Sequence, residues 1–319
     1  IHSIDVERRI ARRLSMGIDR YTSLAASTDG RHLAATLAST KSTLWRLPIN
    51  DEHAVTSDAH PISLTTGNGS SPRLGPGFLL YVSSKGTTDS IWKLAGDMAT
   101  EVWSAPDSRI IGGPSIAPEG RRIAFSIRQN GETLLCVANI DGTEARVVSS
   151  SLELQGAPGW APDGESLTVS AVVDSVPRLF SVPLNGRAAA RFVDEYSVDP
   201  VWSRDGSIVV FSGPDIGTTF PVKAANADGS AYRLPPLTLT RGARHLAFMA
   251  GPRSVVVLRG EIRYKNLWLI DLDTGAERQL TNFPSNFYVR DFDISPDGRE
   301  IVLEQIQDHS DIVLIEMQP

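Results

Sequence analysis

One phrase recurs through this chain, and its period limits the fold more than any other feature. Four copies match closely: "IAPEGRRIAFS", "WAPDGESLTVS", "WSRDGSIVVFS" and "ISPDGREIVLE". A fifth, "ASTDGRHLAAT", is nearly as good, and "LGPGFLLYVS" and "FMAGPRSVVVL" are weaker copies without the Asp-Gly pair. Each has a small or apolar start, a turn, and an alternating run into an apolar strand. The turn positions are Gly30, Gly77, Gly120, Gly164, Gly206, Pro252 and Gly298, so successive copies lie 47, 43, 44, 42, 46 and 46 residues apart. A period of about 45 residues is that of a four-stranded propeller blade.

The remainder of each repeat supplies two more strands. Third-strand phrases are "LWRLPI", "IWKLAG", "LLCVAN", "LFSVPL", "FPVKAA", "LWLIDL" and "DIVLIE". Turns such as "IDGT", "LNGR" and "ADGS" follow, where Gly supplies the positive φ that tight hairpins need. Fourth-strand phrases are "ISLTT", "TEVWS", "ARVVS", "AARFV", "AYRLP" and "ERQLT". The seventh copy stops after "DIVLIE", while the chain opens on "IDVERRIARRLS", which has the form of "IDLDTGAERQLT". The expected fold is therefore an all-β, seven-bladed propeller with four antiparallel strands per blade, in which the N-terminal strand completes the C-terminal blade. The expected boundaries are 1–15 for the closing strand, then blades at 16–66, 67–106, 107–151, 152–195, 196–237, 238–284 and 285–319. Charged "ERRIARR" suits an outermost strand, since charge on an edge discourages stray pairing; a basic helical arm is the alternative.

Composition excludes several function classes. The net charge of -6 argues against nucleic acid, which needs a concentrated basic surface. No apolar run approaches the roughly 18 residues of a membrane span, and the first residues do not have the form of a hydrophobic leader. Cys136, the single cysteine, lies in strand-like "TLLCVANI" and reads as a small buried hydrophobe.

The phrases "WSRDGSIVVFS" and "LWLIDLDTGAERQLT" resemble the repeat of TolB-like propellers, and the resemblance extends over essentially the whole chain. It implies the fold far more than a function. That propeller occurs in periplasmic proteins of the Tol system, in gating domains of prolyl-oligopeptidase-type peptidases and in some polysaccharide lyases. It also occurs as a sensor or scaffold domain. The chain is most similar to propellers appended to bacterial Ser/Thr protein kinases or winged-helix regulators. The resemblance thus implies an upstream kinase or DNA-binding domain in a longer protein, with an extracytoplasmic place slightly favoured over a cytoplasmic one.

No G-x-S-x-G, H-E-x-x-H, C-x-x-C or G-x-x-x-x-G-K-[ST] motif occurs. No catalytic residue, metal or cofactor is therefore expected. What remains is the channel lined by the first strands. Counting back to one place in each repeat gives Ser23, Ser71, Gly113, Ala157, Asp199, His245 and Asp291. Four are small and give an open half; three are titratable and adjacent, with Arg244, Arg290 and Asp293 beside them. Two carboxylates flanking an imidazole would favour its protonated form and make binding depend on pH near neutrality. Loops of the same sector add Arg259, Arg263, Tyr264, Asp308 and His309 as candidate ligand-binding residues. The expected function is a non-enzymatic binding, sensory or scaffold domain. It would be a monomer that presents its rim to a protein, peptide or small ligand. The alternative is a carbohydrate-active lyase or hydrolase with its site at the channel mouth.

Overall fold

The computed structural model describes residues 1–13, 20–50, 53–54, 56–242, 245–249, 251, 253–261 and 263–316. They fall into two compact units, Ser42–Gln305 and a smaller one of Ile1–Lys41 with Ile306–Pro319.

The larger unit holds six antiparallel sheets among the described residues. Sheet one is Ser70–Gly75, Phe78–Lys85, Thr88–Ala95 and Met98–Ser104. Sheet two is Ser108–Ile116, Arg122–Gln129, Glu132–Asn139 and Arg146–Ser149. Sheet three is Leu154–Trp160, Ser166–Val173, Val176–Pro183 and Ala190–Val193. Sheet four is Val198–Trp202, Ile208–Ser212, Thr219–Asn226 and Ala231–Tyr232, with Thr238–Thr240 added beside the third. Sheet five is Leu246–Phe248, Ser254–Gly260, Lys265–Asp271 and Glu277–Gln279. Sheet six pairs Tyr288–Ile294 with Glu300–Glu316, and that strand with His32–Asn50, which carries His60–Pro61. Of the two long strands, residues 300–305 and 42–50 belong to this unit.

Alternation along the second strands buries both of their faces, as expected for a strand packed between sheets. In sheet two, Ile123, Phe125 and Ile127 meet Leu80 and Ile91 of sheet one, while Ala124 meets Leu167 and Val169 of sheet three. Val209 and Phe211 pack with Leu179, Ile208 and Val210 with Val255 and Val257, and Val256 and Leu258 with Ile301 and Leu303. Leu44 and Val302 of sheet six then pack on Leu79 and Tyr81 of sheet one. Each such side chain contributes about 1.5–3 kcal/mol of burial. The repeat turns behave as read: Gly120, Gly164, Gly206 and Gly298 have φ of 73°, 67°, 70° and 73°.

Two expectations are corrected. Among the described residues, Ile10–Arg13 is not joined to the last sheet: it pairs with His2–Asp5, and Asp5 Oδ1 accepts the N–H groups of Glu7 and Arg8 at the turn. A short local hairpin costs little closure entropy. Among the described residues of 16–66, Arg20–Ala26 and His32–Asn50 join the last sheet instead of forming a blade of their own, so the described residues show six sheets where seven blades were expected. His32–Asn50 runs straight through "LASTKST", where a hairpin was expected, and Glu300–Glu316 runs straight through "IQDHSD". Residues 42–50 take the third-strand place beside residues 300–305. They bring fully buried Leu44 and Leu47, an Arg46–Glu300 ion pair at 3.1 Å, and a bond from Ser42 Oγ to Glu304 Oε1 at 2.8 Å. In "DIVLIE", by contrast, Ile312 and Leu314 are exposed.

In the smaller unit, Arg20–Ala26 pairs with the first part of His32–Asn50, from Arg20 opposite Ala38 to Ala26 opposite Leu33. The His2–Asp5 and Ile10–Arg13 hairpin is its second element.

Candidate functional site

The first strands of all six sheets line one cavity of about 650 Å³. A bulge re-aims four of these strands, between Ser70 and Arg73, Ile111 and Ser115, Gln155 and Gly159, and Val198 and Val201. Each bulge contains a proline, Pro72, Pro114, Pro158 or Pro200, which has no N–H for the ladder. Ser71 and Asp199, each just before its proline, adopt φ of 50° and 55°. Left-handed backbone at residues other than glycine costs roughly 1–3 kcal/mol and gathers at functional sites.

The residues expected here are mostly here. Asp199, His245, Asp291, Asp293 and Arg290 all line the cavity. Arg244 lies outside the described residues. The group that organises them is one the sequence did not single out. Arg73 is buried, donates to the Pro72 carbonyl at 2.6 Å and holds Asp291 Oδ2 at 3.1 Å. Its guanidinium fits because Gly113 has no side chain: a Cβ there would sit 2.7 Å from Arg73 Nη2. Asp293 Oδ2 accepts the Leu74 N–H at 2.7 Å. Glu304, 1% exposed, accepts the Ser71 N–H at 3.0 Å and the Ser42 hydroxyl at 2.8 Å, with Arg290 Nη1 3.7 Å away.

The titration behaviour corrects the expectation of a protonated imidazole. Burial, then the Arg73 charge, pushes His245 down to about 3, against a smaller upward pull from Asp291. Its ring stands edge-on to Phe292, centroids 5.5 Å apart, and its buried Nε2 has no hydrogen-bond partner among the described residues. Asp293 is the group near neutrality: burial raises it to about 6, opposed by Arg73. Burial and Asp291 raise Glu304 as well. Asp199 lies against sheet three, where a Cβ on Gly156 would come within 2.5 Å of its Oδ1.

The loop residues do not join this group. Arg259 pairs with Glu277 and lies 5.8 Å from the Trp268 ring, along the face of sheet five. Arg263 and Tyr264 line a separate cavity of about 520 Å³ with Thr218, Thr240, Gly260 and Glu261. Lys265, next in sequence, is 1% exposed and donates to the Thr240 and Arg241 carbonyls at 2.7 and 2.8 Å; burial lowers it to about 8. Asp308 and His309 belong to the smaller unit, where Asp308 accepts the Thr40 hydroxyl at 3.0 Å. Cys136 is buried, its thiol pushed up to about 11. Among the described residues no three His, Cys, Asp or Glu side chains are grouped to hold one metal ion, and no helix is long and apolar enough to cross a membrane.

A family model of the TolB beta propeller domain matches residues 97–318, more than half of the chain. The chain belongs to the TolB beta propeller family. A curated relative, the Tol-Pal system protein TolB of Alcanivorax borkumensis, is 38% identical over 58 residues, which is 18% of this chain and 13% of that protein. Among solved structures, a putative TolB from Agrobacterium tumefaciens superposes with a TM-score of 0.62 at 19% identity, covering 84% of this chain and 99% of that one. TolB from Acinetobacter baumannii gives 0.57 at 14% identity over 84% of this chain and 66% of its own. An oligogalacturonate lyase from Vibrio parahaemolyticus gives 0.55 at 12% identity over 96% of each. These likenesses to solved structures concern the fold. The match spans only about an eighth of the curated relative and the chain just under two thirds of the Acinetobacter protein.

Proposed function

We propose that the domain is a non-enzymatic binding, sensory or scaffold module, and that the cavity mouth receives a peptide segment of a partner protein or a small polar ligand. The observation that carries this is the cavity itself. Its volume of about 650 Å³ is that of a ligand site, and its polar groups converge from several sheets. Asp199, Asp291, Asp293, Glu304, Arg73 and Arg290 mix both signs, which suits a polar, hydrogen-bonding ligand. Most of these groups also satisfy one another, so the site is set for recognition more than for proton transfer.

A random-peptide phage library panned against the domain tests the proposal. Selected peptides should lose binding to Ala157→Trp, which fills the cavity from the small-residue side, and should compete with one another. Peptides that bind this variant as well as the native domain would place recognition elsewhere and overturn it. One arrangement favours a lyase instead: neutral His245 stands near Arg73, a base beside a cation that could face a uronate carboxylate. An absorbance rise from unsaturated uronate products, lost in His245→Gln, would replace the binding reading with that one.

A further inference from the structure

The cavity beside Arg263 and Tyr264 is separate from the channel, and part of its wall is an addition to the four-strand repeat. On one side lies Thr218, in the loop between the second and third strands of sheet four, with Thr240 at the end of the extra strand Thr238–Thr240. On the other lies the turn of sheet five that carries Gly260, Glu261, Arg263 and Tyr264. The cavity is shallow and open, with a volume of about 520 Å³. That volume is within the range of small-ligand sites.

The walls are tied to one another. Thr240 pairs with Thr219 in the ladder, and its hydroxyl donates to the Gly260 carbonyl at 2.7 Å. The Arg241 N–H donates to the Thr218 carbonyl at 2.9 Å, and the Arg241 guanidinium holds Asp215 at 3.0 Å. Lys265 is buried and has no carboxylate partner among the described residues. Its ammonium donates to the Thr240 and Arg241 carbonyls and so ties the extra strand to the third strand of sheet five. A buried ammonium is costly, and here its bonds hold the wall of this cavity. Gly260 has φ of 142°, and a Cβ there would collide with the Tyr264 carbonyl, so the turn needs glycine.

The lining selects a ligand class. Glu261 and Arg263 contribute one charge of each sign, so neither a cation nor an anion is favoured. The Thr218 hydroxyl, the Glu261 carboxylate and the Tyr264 hydroxyl make no hydrogen bond or ion pair among the described residues. Hydroxyls donate and accept, and a carboxylate accepts. Tyr264 is 51% exposed and adds an aromatic face beside these groups. An uncharged ring with closely spaced hydroxyls and a C–H face matches this set, because its hydroxyls meet the polar groups and its C–H face packs on the tyrosine. We propose that this cavity binds a neutral sugar chain, with Tyr264 as the platform and Glu261 as the main acceptor of sugar hydroxyls. The open shape suits a chain whose ends continue into solvent. This site does not rest on what the channel binds.

Saturation-transfer NMR on the full chain tests the proposal. The neutral probes are maltotriose, cellotriose and tri-N-acetylchitotriose, and the anionic probe is trigalacturonate. At least one neutral probe should receive saturation at its ring C–H protons. Its Kd should rise about tenfold in Tyr264→Ala, which removes the aromatic face, and by no more than about threefold in Tyr264→Phe, which keeps it. Glu261→Gln should weaken binding as well. Both side chains are exposed, and circular dichroism checks that each variant is folded. Ala157→Trp, in the channel, should leave sugar binding unchanged, which keeps this site apart from the channel reading. Silence from all three neutral probes overturns the proposal. So does binding that survives Tyr264→Ala, binding that is lost in Ala157→Trp, or a preference for trigalacturonate over every neutral probe.

Discussion

The two sides of the cavity are built from the same repeat and could hardly differ more. Sheets two and three present Gly112, Gly113, Ala157 and Gly159, while sheets five and six present His245, Asp291 and Asp293, with Glu304 alongside. The small side is the space that the charged side occupies. Gly113 makes room for the guanidinium of Arg73, and Gly156 for the carboxylate of Asp199. Arg73 itself comes from sheet one and reaches Asp291 of sheet six. Two of the charged groups, Arg73 and Asp199, thus fit because a neighbouring strand gives up its side chain.

Removing Arg73 breaks this arrangement most severely. Arg73→Leu leaves Asp291 and Asp293 without their cation in a buried site. A broken buried pair costs about 3–5 kcal/mol. The loss, read from chemical denaturation, should be larger at pH 8 than at pH 5, because Asp293 takes up a proton as pH falls through about 6. His245, no longer facing the Arg73 charge, should titrate higher in NMR spectra. Equal losses at both pH values would mean that the guanidinium acts by packing alone.

The second test sharpens the comparison by separating two buried groups on the charged side. Folding lowers His245 from 6.5 to about 3, so the native state binds fewer protons than the unfolded chain between those values. Its contribution is present above pH 6.5 and is lost as pH falls toward 3. Folding raises Asp293 from 3.8 to about 6. Its contribution is present below pH 3.8 and is lost as pH rises through 6. The two slopes oppose each other between pH 4 and 6. Asp293→Asn should leave stability rising with pH there, and His245→Gln should leave it falling. The amplitude of each is roughly 1–3 kcal/mol. A flat profile in both variants would show that neither group is desolvated as the geometry requires.

The parts legible in the sequence are those set by local chemistry. Turn glycines and alternating strands follow from residues close in the chain, and the shared cavity of His245 and Asp291 follows from their equivalent places in successive repeats. What was not legible depended on competition between similar strands. "STLWRLPI" and "DIVLIE" carry the same phrase, and only packing decides that Leu44 and Leu47 occupy the place beside Val302 and Leu303. Counting the repeat back from Gly77 reached Ser71, because that copy's turn is a residue shorter, and Arg73 went unread two positions on. Glu304 offered a clearer signal, a lone carboxylate within the apolar run "IVLEQI", where a buried charge requires partners.

The smallest effect is expected at Arg290, and it tests whether burial or mere charge distinguishes the cations of the site. Arg290 is 60% exposed and lies 3.7 Å from Glu304, whereas Arg73 is 9% exposed and lies 3.1 Å from Asp291. Glu304 also keeps two donors that Arg290 does not supply, the Ser71 N–H and the Ser42 hydroxyl. Arg290→Ala should therefore cost only about 0–1 kcal/mol, the range of solvent-exposed pairs. The cost should shrink as salt shortens the screening length below about 8 Å. Arg290 holds the Glu304 carboxyl down while burial raises it, so the variant should move that carboxyl further up and lose most at high pH, where the native form must ionise it. A loss of several kcal/mol, insensitive to salt, would mean that Arg290 acts as a buried partner, and the contrast with Arg73 would fail.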